Sequence, residues 1–188
     1  MAAATETFFG LLADASSPSA LDRLLSIKPR GADKGLSLIL SRRSDWRTLV
    51  REVPEVAERL ADAFWPGPLT LALPAAPGVD QRLLLDGTLA VRLPGLSPAA
   101  ELARRFGRPL TATSANAPGA PPARDASALY RAFGDAIARG ELVVIEDPAP
   151  GGLPSTVVVI EGREARIVRA GAIGAGAIER VSSGAGPC

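Results

Sequence analysis

Histidine is absent from the 188 residues, and the only cysteine, Cys188, is the last of them. The first absence removes the commonest general base and the commonest transition-metal ligand, so no Ser-His-Asp or Cys-His mechanism is available within this chain. The second excludes an intramolecular disulfide and a cysteine zinc cluster, and it fits a reducing cytoplasm, the expected location. Aromatic residues make up only 4%, few for a surface that stacks nucleic-acid bases. No apolar run is long enough to span a bilayer, so no membrane partner is expected. The opening Met-Ala-Ala-Ala-Thr-Glu-Thr has neither the basic nor the apolar region of a signal peptide. Any catalysis has to rest on charge, positioning and a hard cation.

What remains is a globular composition. Hydrophobic residues make up 47% and charged residues 22%, enough apolar surface for one core, and residues 1–188 are read as a single domain. Net charge is only +1, which argues against a wholly basic coat for nucleic acid. The charge is uneven. Residues 28–51 carry Lys28, Arg30, Lys34, Arg42, Arg43, Arg47 and Arg51 against Asp33 and Asp45. Two readings stand: a site for an anionic small ligand, or a solvated basic loop and helix.

Helix and strand signals alternate, the mark of an α/β domain. Ser17-Pro18, Pro54 and Ser97-Pro98 open helices whose Leu21, Leu24 and Leu25, then Val56, Leu60 and Phe64, then Leu102 and Phe106 fall on one face. Asp125 caps a fourth helix running through Phe133. Strands are expected at 36–40, 69–73, 89–93, 109–113, 142–145, 156–160 and 165–168. Several connections, such as that between 156–160 and 165–168, are too short for a helical crossover. The sheet is therefore expected to be mixed parallel and antiparallel. The tail is rich in Gly and Ala, and 182–188 is read as flexible.

Four segments could carry chemistry. In extended backbone Lys28 and Arg30 point to one side, and Pro29 favours that backbone before it. An ammonium and a guanidinium on one side suit phosphate oxygens, with Lys34 within reach. A solvated loop explains the same residues. Ser114-Ala115-Asn116 follows a strand, either as a ligand-binding turn or as an ordinary one. Arg92 stands inside the apolar run Leu89-Ala90-Val91-Arg92-Leu93, so it is either at an exposed strand end or bound to a carboxylate. Gly151 to Thr156 is a turn with hydroxyls at the start of a strand. The turn Trp65-Pro66-Gly67-Pro68-Leu69-Thr70 is read as structural.

Taken in order, these segments resemble the threonylcarbamoyl-AMP synthase family (Sua5/YciO/YrdC), short single-domain form. Its Thr-Asp/Glu-Thr-x-Tyr-Gly-Leu opening is here Thr5-Glu6-Thr7-Phe8-Phe9-Gly10-Leu11. Its Lys-x-Arg-x-x-x-Lys-x-Leu segment is Lys28, Arg30, Lys34 and Leu36. The Trp-Pro-Gly-Pro-x-Thr turn is Trp65 to Thr70, and Ala-Val-Arg-x-Pro is Ala90 to Pro94. Ser-x-Asn is Ser114 and Asn116, and the closing motifs are Pro154 to Val158 and Arg169-x-Gly171-Ala172-Ile173. The match runs from residue 5 to about 180.

The resemblance implies a YrdC/RibB-like mixed sheet with flanking helices and a basic concave cavity. It implies synthesis of threonylcarbamoyl-AMP and pyrophosphate from L-threonine, bicarbonate and ATP, for the t6A37 modification of tRNA. Lys28 and Arg30 would be the catalytic cations. Lys28, Arg30, Lys34, Thr88, Ser114, Asn116, Pro122 and Arg169 would bind ATP. Thr7, Ile39, Arg92, Ala112 and Ser155 would bind threonine. Mg2+ would be held mainly through the ATP phosphates, with no protein metal ligand. The implied partners are the proteins that transfer the threonylcarbamoyl group to tRNA, and tRNA itself. Two features depart from the family: Phe9 replaces its Tyr, and its first helix and strand are expected to be missing, leaving Met1 to Ala4. The alternatives are a non-catalytic RNA-binding protein of this fold, or a paralogue acting on another carbamoyl-adenylate.

Overall fold

The computed structural model describes residues 1–29, 35–117, 119–147 and 151–184. Arg30 and Lys34 therefore lie outside the described residues, as do Pro118 and positions 185–188 of the expected tail.

The chain runs β1 (Ala2–Ala4), β2 (Phe9–Leu11), α1 (Pro18–Ile27), β3 (Leu38–Ile39), α2 (Trp46–Leu49), α3 (Glu55–Phe64), β4 (Leu69–Pro74), β5 (Leu84–Leu85), β6 (Thr88–Arg92), α4 (Pro98–Phe106), β7 (Leu110–Thr111), β8 (Thr113–Ser114), α5 (Ala126–Ala138), β9 (Thr156–Glu161), β10 (Glu164–Arg169) and α6 (Ala175–Ser182). The larger sheet has the order β10-β9-β4-β6-β3-β7, with β5 beside β6. It is mixed, as expected: β4–β9 and β3–β6 are parallel, whereas β9–β10, β4–β6 and β3–β7 are antiparallel. A smaller antiparallel sheet, β1-β2-β8, stands beside it.

The helix starts follow from capping. Ser17 Oγ accepts from Ala20 N at 3.3 Å, Ser97 Oγ from Ala100 N at 3.2 Å, and Asp125 Oδ1 from Ala128 N at 2.7 Å. Each satisfies a backbone donor that the first helical turn leaves open. At the other end of α4, Gly107 closes the helix with φ of 75°, a conformation that suits glycine. Asp125→Ala should destabilise the protein by about 1 kcal/mol, the usual cost of an N-cap carboxylate. The reason is that α5 carries Leu129, Phe133 and Ala136 into the core. Urea denaturation checks this, and a shift below about 0.3 kcal/mol would show that the cap contributes nothing.

The main sheet is two-faced. Leu69, Leu71, Leu73, Leu89, Val91, Val158 and Ile160 point one way into the apolar core, where Trp46 and Trp65 meet with ring centroids 4.9 Å apart. Thr70, Ala72, Thr88, Ala90, Arg92, Val157 and Val159 point the other way. This is the period-two alternation of a strand, and it gives the sheet a second face on which a site can be built.

Two expectations need correction. No strand was expected before Thr5, yet Ala2–Ala4 form β1, pair with β2 and are fully buried. Three alanines suffice because backbone pairing needs no side chain and small residues fit a crowded layer. The strand expected at 142–145 is reduced to a parallel bridge between Val144 and Ala2. A helix that no sequence signal announced, α6, forms over Ala175–Ser182, ahead of most of the expected tail, and packs Ile178 into the core. Arg59 from α3 donates to its last carbonyls, those of Val181 and Ser182. Of the two readings of the basic cluster, the solvated one holds for Arg42, Arg43 and Arg47. Arg43 pairs with Glu58 and Asp62, Arg47 with Glu58, and Arg42 with Asp45, all away from the sheet's open face.

Candidate active site

That open face floors a cavity of about 610 Å³, whose walls include Phe8 and, from the smaller sheet, Phe9 and Gly10. Its lining collects nine of the thirteen residues singled out from the sequence: Thr7, Ile39, Thr88, Arg92, Ala112, Ser114, Pro122, Ser155 and Arg169. Lys28 and Asn116 reach it through Ser114. Arg30 and Lys34 fall outside the described residues.

The Thr5-Glu6-Thr7 opening is held by its own hydroxyl. Thr5 Oγ1 accepts from the backbone N–H groups of Thr7 and Phe8, both at 3.2 Å, and contacts Thr7 Oγ1 at 3.0 Å. This local turn, of the kind Ser and Thr form readily, presents Thr7 to the cavity and turns Glu6 toward Arg92. Arg92 Nη1 donates to Glu6 Oε1 at 2.9 Å, with both side chains largely buried. Burial pulls the Arg92 guanidinium below its ordinary pKa, and the Glu6 carboxylate opposes that pull. Glu6 Oε1 is the only hydrogen-bond partner of the Arg92 guanidinium among the described residues, which leaves the rest of its donor fork to the cavity. The sequence raised Arg92 but gave Glu6 no role. A Glu between two threonines carries no periodicity that points to an arginine 86 positions away.

On the opposite wall, two motifs that read as separate are one cluster. Lys28 is buried, and its ammonium donates to the Ser114 carbonyl, to Asn116 Oδ1 at 2.9 Å and to Ser114 Oγ at 3.3 Å. Ser114 Oγ in turn donates to Asn116 Oδ1 at 2.6 Å, and Asn116 Nδ2 ties the turn to the carbonyls of Ala117 and Ala120. The lysine thus shapes the Ser-Ala-Asn turn and lends it positive charge.

Arg169 depends on an irregularity. Register runs Ile167↔Val158 and then Arg169↔Val157, a bulge in β10. In regular pairing Arg169 would face Thr156 on the core side. The extra residue moves it to the cavity side, the re-aiming that bulges perform. Its guanidinium donates to the Ser155 carbonyl at 2.9 and 3.2 Å and to Ser155 Oγ at 2.8 Å. Partial burial and the positive field of Arg92 both lower its pKa. Gly171 holds the Ser155 turn from behind, and Ala172 N donates to Pro154 O at 2.9 Å.

Two guanidiniums on an apolar sheet face and a cationic turn are groups that can hold small anionic ligands by charge. The chain belongs to the Sua5/YciO/YrdC family: the family model, described as "Telomere recombination", matches residues 1–171. A threonylcarbamoyl-AMP synthase of Idiomarina loihiensis is 41% identical over 140 residues, 71% of this chain and 73% of that one. One from Pyrococcus abyssi is 35% identical over 94% of this chain, which spans about half (52%) of its length. The solved structure of P. abyssi Sua5 complexed with L-threonine superposes with a TM-score of 0.84 at 34% identity, over 95% of this chain and 52% of that one. Among the described residues no helix is long and apolar enough to cross a membrane.

Proposed function

We propose that this chain is an L-threonylcarbamoyladenylate synthase, joining L-threonine, bicarbonate and ATP into threonylcarbamoyl-AMP and pyrophosphate for the t6A modification of tRNA. The observation that carries the reading is the convergence of Arg92, Arg169 and the Lys28–Ser114–Asn116 cluster on one cavity, in a chain related to synthases of that name.

The chemistry asks for what this cavity offers. A carboxylate that attacks the α-phosphate of ATP approaches another anion. The barrier falls when charge is neutralised and the reactants are held in line, and no nucleophilic side chain is required. A histidine-free site meets that demand. Arg92, with Glu6 holding one end of its fork, is positioned to take the threonine carboxylate bidentately. Thr7, Ile39, Ala112 and Ser155 supply the hydroxyl and apolar contacts that a threonine side chain needs. Thr88, Ser114, Asn116 and Pro122 are the candidates for holding the nucleotide, with Lys28, Arg30 and Lys34 for the triphosphate charge.

A positive Lys28 beside the Ser114 turn disfavours a bare divalent cation. It fits Mg2+ that arrives already bound to phosphate, where the ion supplies neutralisation of phosphate charge. Proteins that transfer the threonylcarbamoyl group, and tRNA, are the partners this product implies.

The test is pyrophosphate release. It should appear only when threonine, bicarbonate, ATP and Mg2+ are all present, and Lys28→Ala should slow it roughly 100-fold, as expected on losing a preorganised charge donor. Equal release without threonine would end the reading.

A further inference from the structure

The turn that ends in Thr70 reads as structural from sequence, yet its hydroxyl opens onto the cavity. Thr70 is buried, at 4% exposure, and lines the cavity floor. It stands one residue before the Leu71–Val91 pair and Arg92 one residue after it, so the two are neighbours across β4 and β6. On its other side Thr70 pairs with Val157, which pairs with Arg169. Thr70 therefore sits between the two cavity guanidiniums.

Its hydrogen bonding leaves one proton over. Arg169 Nη2 donates to Ser155 Oγ at 2.8 Å, and a guanidinium has no acceptor. Ser155 Oγ and Thr70 Oγ1 are 2.9 Å apart and share one hydrogen bond. Two hydroxyl protons serve that single bond, so one of them is left over, whichever residue donates. Among the described residues no other partner of either hydroxyl accepts it. The row of Arg169, Ser155 and Thr70 thus presents donors to the cavity, around Val157 and Ala72, which offer nothing polar. The leftover hydroxyl proton and Arg169 Nη1, which has no partner among the described residues, suit a ligand rich in acceptors. Arg92 already has a carboxylate in Glu6, whereas Arg169 has none among the described residues.

We propose that Thr70, Ser155 and Arg169 form the bicarbonate site, holding the small oxyanion beside an amino acid anchored on Arg92. This rests on the synthase reading above. There the neutral threonine amine adds to the bicarbonate carbon: the C–N bond forms, a C–O bond breaks, and the departing hydroxide leaves as water with a proton from the amine. The same cradle then presents the carbamate, whose oxygen attacks the α-phosphate of ATP and displaces pyrophosphate.

The experiment uses the full chain, Thr70→Val, which keeps shape and removes the hydroxyl, and Thr70→Ser, which restores it. In the pyrophosphate assay Thr70→Val should raise the KM for bicarbonate roughly tenfold or more, the worth of one hydrogen bond to a charged group. Thr70→Ser should return it to near the wild-type value. Calorimetric affinity for threonine, measured without bicarbonate, should change less than about twofold on the same scale. An equal loss of threonine affinity would mean that the cradle holds the threonine carboxylate, and it would overturn the proposal. So would an unchanged bicarbonate KM. If the wild type releases no pyrophosphate, the synthase reading fails by itself, and line broadening of 13C-bicarbonate decides the site. Broadening that Thr70→Val abolishes supports the proposal, and no broadening by wild type refutes it. Should Thr70→Val not fold, Thr70→Ala takes its place in both measurements.

Discussion

Gly171→Ala is expected to lower stability by about 3 kcal/mol or more, at or above the upper end of core overpacking, and to abolish pyrophosphate release. A Cβ at this position would lie 2.3 Å from Pro154 O and 2.5 Å from both Ser155 C and Thr156 N. These are backbone atoms, so no side chain can swing aside. Relief requires the two segments to part. Parting them breaks the Ala172 N to Pro154 O bond of 2.9 Å and the paired bonds between Thr156 Oγ1 and the Ile173 backbone, at 2.8 and 2.9 Å. The displaced turn is the one that Arg169 grips, so the site moves with it. For a chain of this size the melting temperature should fall by roughly 6–12 °C. Thermal unfolding with the activity assay measures both effects, and a melting temperature within about 2 °C of wild type would show that the clamp yields cheaply.

The second large effect is Arg92→Lys. Lysine keeps the positive charge opposite Glu6, so the variant should fold, whereas removing the charge would leave the buried Glu6 carboxylate unpaired. What lysine lacks is the second prong. Losing one charge-assisted hydrogen bond costs about 1.5–3 kcal/mol, so threonine affinity should fall roughly 10- to 100-fold. ATP affinity without threonine should stay within about twofold of wild type. Lys28→Ala should show the reverse, because Lys28 shapes and charges the Ser114–Asn116 turn on the other wall. Titration calorimetry with each ligand separates the two. If Arg92→Lys abolished ATP binding while the fold stayed intact, Arg92 would not belong to the amino-acid pocket.

The parts of this molecule legible in its sequence are those governed by neighbours in the chain. Ser17, Ser97 and Asp125 announce helix starts because an N-cap satisfies donors two or three residues ahead. The alternation at 69–73 shows a strand because side chains switch faces at every residue. The ordered motifs named the family and picked out nine residues that line one cavity. Even the odd arginine of β6 was visible, since a guanidinium in an apolar run requires a partner.

Tertiary structure decided the rest, because the deciding contacts join residues far apart in sequence. Glu6 as Arg92's counter-ion, and Lys28 as the centre of the Ser114–Asn116 turn, each depend on partners 86 to 88 positions away. Ala2–Ala4 become a strand only because β2 and Val144 pair with them. By alternation alone Arg169 belongs on the same face as Ile167, with its back to the cavity. A single extra residue in β10 reverses it, and no local pattern encodes that residue. The sequence by itself therefore determined which elements form and which residue types the site contains. Sheet register and one bulge determined which way those residues face, because a shift of one position in a strand moves a side chain to the opposite side of the sheet.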